Sequence, residues 1–521
     1  EVWLCDSGRF GHEYVDADSR VRQPLVRRGG RLEPATWDEA VAAIRAGLNG
    51  IAPERFGVYL DASLTLEEGA SAQSFATAFG TPNLDFAPRY PVPVAGQNRA
   101  TISDVAHSDA ILVVGADVTQ EAPILELRIQ EALKGVVSDL HYNHGAAIAD
   151  LRLQERMVRT RSRLAVFTPV PVELDEQAGT TGRYPVGQDL QVLQELAGAR
   201  GNPGSATLEG VNAAAAVLAA AKDPVVILGS FALSGSNAAQ VVAAAEKLGA
   251  KVMLLPAGAN AVGLEMLGIN PGKNGRPFAG LEGLKAAFLA GLSPAPAALK
   301  GLDFLVVHAT HLTPAAAAAN VVLPAKTNYE KRGTTVNLEG RFLPVQAAAI
   351  DGDQAEDLHG ALAALAEALN VRPEVRGLRS ARKALLDRFG LAVDALPPEG
   401  AFAKKRPALT PARAVETTAP AAPAGPQVLV LPSVWKGVQV ENSDRVRHAL
   451  GPNRLRLPSS IGRSLGLQDG REAMVSVAGR EHGVQVVFDD AASVPTLASP
   501  DGLGAGKTAA LGVLATAGGD D

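Results

Sequence analysis

From residue 57 to residue 323 short, uninterrupted apolar runs alternate with amphipathic stretches, and that alternation leaves few folds open. The runs are Gly57-Val58-Tyr59-Leu60, Ala110-Ile111-Leu112-Val113-Val114-Gly115, Leu164-Ala165-Val166-Phe167, Pro224-Val225-Val226-Ile227-Leu228-Gly229, Lys251-Val252-Met253-Leu254-Leu255, Phe304-Leu305-Val306-Val307 and Val321-Val322-Leu323. A strand that is apolar along its whole length is buried on both faces, as in parallel sheets covered by helices. The intervening segments read as helices: Leu66 to Phe79, a stretch opening at Pro123, Val211 to Ala221, and Ala238 to Leu248. The pattern predicts two doubly wound α/β units, over residues 56–205 and 206–372. Residues 1–55 read as polar loops followed by one helix, Trp37 to Leu48, with Thr36 as its N-cap.

Past residue 354 the period changes. Leu358, Leu362, Leu365 and Leu369 mark one face of a helix, and Lys404 to Gln427 is rich in Ala, Pro and Thr. The helical stretch runs over 354–390, and residues 373–427 read as helix followed by an extended linker. Beyond it, Val428 to Leu431, Ala473 to Val477 and Val484 to Val487 are strands separated by the turns Gln468-Asp469-Gly470 and Ala478-Gly479-Arg480. They predict a small all-β domain over 428–521, built as a barrel.

Composition narrows the function. A chain of 521 residues has room for three or four domains, and its net charge of −6 lacks the positive field that nucleic-acid binding needs. No apolar run approaches the ~18 residues of a membrane helix, so no direct membrane insertion is expected. A single cysteine excludes an internal disulfide framework.

That cysteine, Cys5, has three readings: a small buried hydrophobe, a nucleophile, or one ligand of an iron–sulfur cluster. A cluster needs four thiolates or close substitutes, which this chain alone does not supply. The strand ends at Gly115-Ala116-Asp117, Gly229-Ser230 and Pro256 to Asn260 fall where doubly wound folds bind ligands, but none forms a G-x-G-x-x-G. Asp117 and Glu121 would repel a phosphate there, though they could accept hydrogen bonds from a nucleobase. The pairs His141/His144 and His308/His311 lack a carboxylate in a zinc pattern and are expected to make local hydrogen bonds. Gly506-Lys507-Thr508 ends like a P-loop, but Asp501 stands where the first glycine belongs.

Longer strings carry a resemblance. Cys5-Asp6-Ser7-Gly8-Arg9-Phe10-Gly11, Pro24 to Arg27, Thr36 to Ala40, Asn260 to Gly263, Gly268-Ile269-Asn270-Pro271 and above all Val321 to Ala325 with Glu330-Lys331-Arg332-Gly333-Thr334 and Asn337 to Arg341 resemble the molybdopterin oxidoreductase superfamily. Leu465 to Gly470 resembles its C-terminal barrel. Within it, Cys5 through Glu13, Glu121 to Leu125 and Tyr142 to Gly145 are similar to the large iron–sulfur subunits of bacterial NADH-quinone oxidoreductase, respiratory complex I. That likeness implies a scaffold domain without molybdopterin, next to a cluster-bearing N-terminal region expected to be missing from a sequence that opens at Glu1. It implies that Cys5 is the fourth ligand of a 4Fe–4S cluster whose other ligands lie upstream, and that 1–55 lies near the cluster. The partners implied are other soluble subunits of the peripheral arm, on the cytoplasmic side of the cell membrane. The competing expectation is an active molybdopterin enzyme of the formate dehydrogenase kind. Against it stand Ser7 in place of the Lys usual in active members, the lack of any later thiol, and Gly115-Ala116-Asp117-Val118 in place of G-x-N-P.

Overall fold

The computed structural model describes residues 4–96, 99–134, 159–348, 354–405, 409, 426–435, 437–477, 479–498 and 504–516. The His141/His144 pair, the Tyr142 to Gly145 string and most of the Ala/Pro-rich linker lie outside them. The α/β strands are, in chain order, β1 (Leu25–Arg28), β2 (Arg31–Pro34), β3 (Phe56–Asp61), β4 (Asn83–Ala87), β5 (Ala110–Val114), β6 (Leu164–Thr168), β7 (Thr180–Arg183), β8 (Pro224–Leu228), β9 (Lys251–Leu254), β10 (Ala286–Ala290), β11 (Phe304–Ala309) and β12 (Val321–Pro324).

They form two sheets. One has seven strands in the order β2-β1-β12-β11-β10-β3-β4, and the other has five in the order β7-β6-β5-β8-β9. Every pairing except those of the β1–β2 hairpin is parallel. The central strands β5, β6, β8 and β10 are buried at every position, as two-sided cover requires.

Sheet membership does not follow the expected division at residue 205. β5, β6 and β7 pair with β8 and β9, while β3 and β4 join β11 and β12 through β10. The five-stranded unit, β5 to β9, is thus inserted in chain order between β4 and β10 of the seven-stranded one. An apolar run marks a buried strand without naming its neighbour, so the strand sequence alone did not reveal the insertion. The first residues also differ from the polar loops expected of them. β1 and β2 form an edge hairpin whose Val26 is buried against β12, and whose arginines are tolerated because the edge faces solvent.

The helices start where their side chains allow. Thr36 and Thr65 cap Trp37–Leu48 and Leu66–Phe79, each in a reciprocal capping box with a glutamate three residues on. Helices Leu358–Ala368 and Leu378–Phe389 pack on Leu66–Phe79. β13 (Gly333–Val336), β14 (Arg341–Val345) and β15 (Ala401–Phe402) make a small antiparallel sheet. The C-terminal region is a closed barrel of β16 (Gln427–Leu431), β17 (Asn453–Leu457), β18 (Glu472–Val477), β19 (Arg480–Phe488), β20 (Thr496–Ala498) and β21 (Thr508–Thr516). Alternate residues such as Leu455, Leu457, Val475, Val477, Val484 and Val486 fill it.

Candidate functional site

In an open α/β sheet the ligand crevice opens where strand order reverses. Here that is between β5 and β8 in the five-stranded sheet, and between β3 and β10 in the seven-stranded one. At the first, Gly115 turns the chain with a φ of 60°. Its carbonyl accepts from Phe231 N and Ala232 N at 3.0 and 3.2 Å. The Glu121 carboxylate bridges the two turns, accepting from Asp117 N at 3.0 Å, Ser230 N at 2.8 Å and Ser230 Oγ at 3.0 Å. Burial pushes Glu121 up to about 7. Burial, with the carboxylates of Glu173, Glu126 and Asp175 nearby, pushes Asp117 up to about 7 as well. Burial also raises Asp189, which accepts from the Tyr184 hydroxyl at 2.6 Å. The sequence placed Asp117 and Glu121 at this turn; the structure adds that Glu121 already binds the backbone of the opposing strand end.

The barrel region makes contacts beside both crevices. Its turn at Gly504–Lys507 lies against Gly229-Ser230: a Cβ on Gly506 would meet Ser230 O at 2.1 Å, and Ser234 Oγ donates to Ala505 O at 2.9 Å. Phe231 and Leu429 share a small apolar core at this seam, and Val434 N donates to Gln120 Oε1 at 3.2 Å. At the other crevice Arg480, from the β18–β19 turn, donates to Ser293 O just past β10. The P-loop-like Gly506-Lys507-Thr508 therefore leads into β21 rather than into a helix.

The string from Glu330 to Arg341 is a buried joint. Glu330 pairs with Arg20 at 2.7 Å, both side chains almost wholly buried. Lys331 pairs with Glu68 at 2.9 Å. Glu68 also accepts from Thr65 N at 2.9 Å and Leu358 N at 3.3 Å, so one carboxylate serves the N-termini of two helices. Burial opposes its ionisation, yet the Lys331 ammonium and these hydrogen bonds hold it at about 2. Thr334 N and Oγ1 donate to Glu67, and Glu339 accepts from Ile102 N at 3.0 Å, joining this string to the five-stranded unit. Asn260, fully buried, donates to Leu64 O at 2.6 Å and accepts from Val336 N at 2.7 Å. Gly268 to Gly275 wraps the edge strand β4, with Gly272 N donating to Pro82 O and Arg276 N to Asn83 Oδ1, both at 2.8 Å.

Cys5 is half-buried at the N-cap of the helical turn Asp6–Phe10, which is held from elsewhere in the chain. Tyr329 Oη donates to Gly8 O at 3.0 Å, and Gln439 Nε2 donates to Ser7 O at 3.1 Å. His311 stacks on Tyr14 with ring centroids 5.4 Å apart and its Nε2 lies 2.6 Å from Tyr14 O. His308 Nε2 lies 3.1 Å from Glu356 O. Burial pushes both histidines down to about 4, so they are neutral at pH 7. Neither bond is the local one expected: His308 reaches a carbonyl 48 positions away and His311 one 297 positions away. Among the described residues no set of three His, Cys, Asp or Glu side chains is grouped to hold a metal ion. Sequence reasoning missed Arg20, Tyr329 and Gln439. Tyr329 adjoins the Glu330 string, but nothing near Arg20 or Gln439 marks them.

The arrangement is two interlocked α/β units joined to a barrel, and the molybdopterin oxidoreductase family model matches residues 20–138 and 191–354; the chain belongs to that family. Among its relatives is NADH-quinone oxidoreductase subunit 3 of Thermus thermophilus, 43% identical over 390 residues, covering 74% of this chain and 49% of that protein. The G subunit of NADH-quinone oxidoreductase from Streptomyces coelicolor is 28% identical, covering 75% and 51%. The chain thus spans about half the length of these curated relatives. Acetylene hydratase from Pelobacter acetylenicus shares the fold, with a TM-score of 0.63 at 14% identity over 95% of this chain and 86% of that one.

Proposed function

We propose that this chain is a scaffold domain in the peripheral arm of an NADH-quinone oxidoreductase, retaining a molybdopterin-enzyme fold without the molybdenum cofactor. The family match and the 43% identity to a subunit of that complex support the placement. The observation that carries the absence of cofactor is the state of the β5–β8 crevice. A pterin bearing phosphates needs free backbone N–H groups and cationic side chains at such a turn. Here Ser230 N, Phe231 N and Ala232 N already donate within the chain, and the side chains bonded at the turn are the carboxyls of Glu121, Asp117 and Asp189 rather than cations. The residues present do not fit that group.

In this reading the intact subunit passes electrons from NADH towards quinone through iron–sulfur clusters. Cys5 supplies one thiolate to a 4Fe–4S cluster whose remaining ligands come from outside this sequence. A half-buried thiol on an anchored turn suits that role, and the cluster would supply one-electron transfer. The chain would dock on other soluble subunits, peripherally on the cytoplasmic face of the membrane. No helix among the described residues is long and apolar enough to cross a membrane. Metal analysis of the intact subunit tests the reading: iron without molybdenum or tungsten is expected. Stoichiometric molybdenum or tungsten would overturn it in favour of an active molybdopterin enzyme.

A further inference from the structure

The turn that carries Cys5 is too short to hold itself. A five-residue helix makes only one or two internal bonds, and the nucleation cost of so short a helix exceeds what they return. Arg9 N donates to Cys5 O at 3.0 Å and Gly11 N closes on Ser7 O. The remaining carbonyl acceptors at the end of such a turn require partners from elsewhere.

Two distant parts of the chain add donors: one to the otherwise open Gly8 O, the other to Ser7 O beside its bond from Gly11 N. Tyr329, just before the Glu330-to-Arg341 string, donates its hydroxyl to Gly8 O. Its ring packs 6.1 Å from that of Tyr14, which in turn stacks on His311. Gln439, from the helix Gly437–Glu441 that precedes β17, donates to Ser7 O. That helix approaches so closely that a Cβ on Gly11 would lie 2.8 Å from Gln439 Nε2. Two neighbouring contacts continue the clamp: Arg445 reaches Glu13 at 2.8 Å, and Ser19 hydroxyl donates to Asn442 Oδ1. The carbonyls two and three residues beyond Cys5 are thus held by donors from two separate parts of the chain.

We infer that Tyr329 and Gln439 are positioning residues for Cys5: their hydrogen bonds to Gly8 O and Ser7 O set where the thiol points and how readily its turn opens. This deepens, and rests on, the reading of Cys5 as a cluster ligand. Neither side chain touches the cluster; both act through the backbone of the turn.

Cys5 is the only thiol in the chain, so alkylation reports on it alone. The test compares iodoacetamide labelling rates of this chain with those of Tyr329→Phe, Gln439→Ala and the double variant, together with thermal midpoints. Losing one such hydrogen bond is expected to raise local opening, and hence the labelling rate, about three- to tenfold per variant. The double variant should exceed either single one, and the global midpoint should move little, because the turn is peripheral. Unchanged labelling rates in folded Tyr329→Phe and Gln439→Ala would overturn the inference. Should Gln439→Ala fold poorly, the conservative Tyr329→Phe decides the matter by itself. In the intact subunit, an altered electron paramagnetic resonance line shape at constant iron content in Tyr329→Phe would extend the support to the cluster. A wild-type subunit with no signal assignable to a Cys5-ligated cluster would defeat the ligand reading while leaving the labelling result to decide the positioning.

Discussion

Glu121 offers the sharpest physical test, because its environment makes charge costly at neutral pH. Glu121 is half-buried, has no cation beside its carboxyl among the described residues, and is pushed from an ordinary value near 4.5 to about 7. A group raised in the folded state stabilises the fold while protonated, below the unfolded value. That contribution is lost as pH rises through the folded one. The loss therefore begins near pH 4.5, runs through about pH 7, and amounts to about 3 kcal/mol once the group is ionised. Glu121→Gln removes the titration while keeping the size and one acceptor oxygen. The amide NH2 cannot accept from Ser230 N, so a constant penalty of about 1–3 kcal/mol is expected for that mismatch. Urea unfolding of both proteins from pH 5 to pH 8 should give a difference that moves in the variant's favour by about 2–3 kcal/mol as pH rises. Asp117, pushed up alongside it, titrates in both proteins and cancels to first order in the comparison. A difference that stays flat across that range would refute the claim that Glu121 ionises at a cost inside the crevice.

Three further outcomes are expected. Lys331→Met leaves the Glu68 carboxylate buried without its cation and should cost about 3–5 kcal/mol in urea unfolding, with most of it recovered in Lys331→Met/Glu68→Gln; a loss under about 1 kcal/mol would show that the pair is not isolated from water. Gly506 has a φ of 78° and touches Ser230 O, so Gly506→Val should cost about 2 kcal/mol or more and lift the barrel turn off the β8 crevice. Limited trypsin digestion should then cut the barrel faster than in the parent chain; equal cleavage would count against a close seam. Asn260→Leu removes a fully buried side chain that joins Leu64 O to Val336 N, and should lower the thermal midpoint by several degrees, about 2–4 kcal/mol in stability.

What the chain's own lettering determined was local. Apolar runs announced β3, β5, β6, β8, β9, β11 and β12; Thr36 announced its helix; and period-two strands announced the barrel. These signals survive in one dimension because burial on both faces, capping and turn chemistry each act within a few residues. The tertiary structure decided the rest. Two sheets built from equivalent apolar strands can be threaded together in more than one way, and only hydrogen-bond partners set β10 beside β3 and β8 beside β5. Likewise, the letters placed Glu121 near a turn and Lys331 in a recognisable string. Only packing brought Glu121 to Ser230, Lys331 to Glu68, and Tyr329 with Gln439 to the Cys5 turn. Contacts between residues more than a hundred positions apart leave no periodic trace, because the cost of closing those loops is met by the whole fold rather than by any segment.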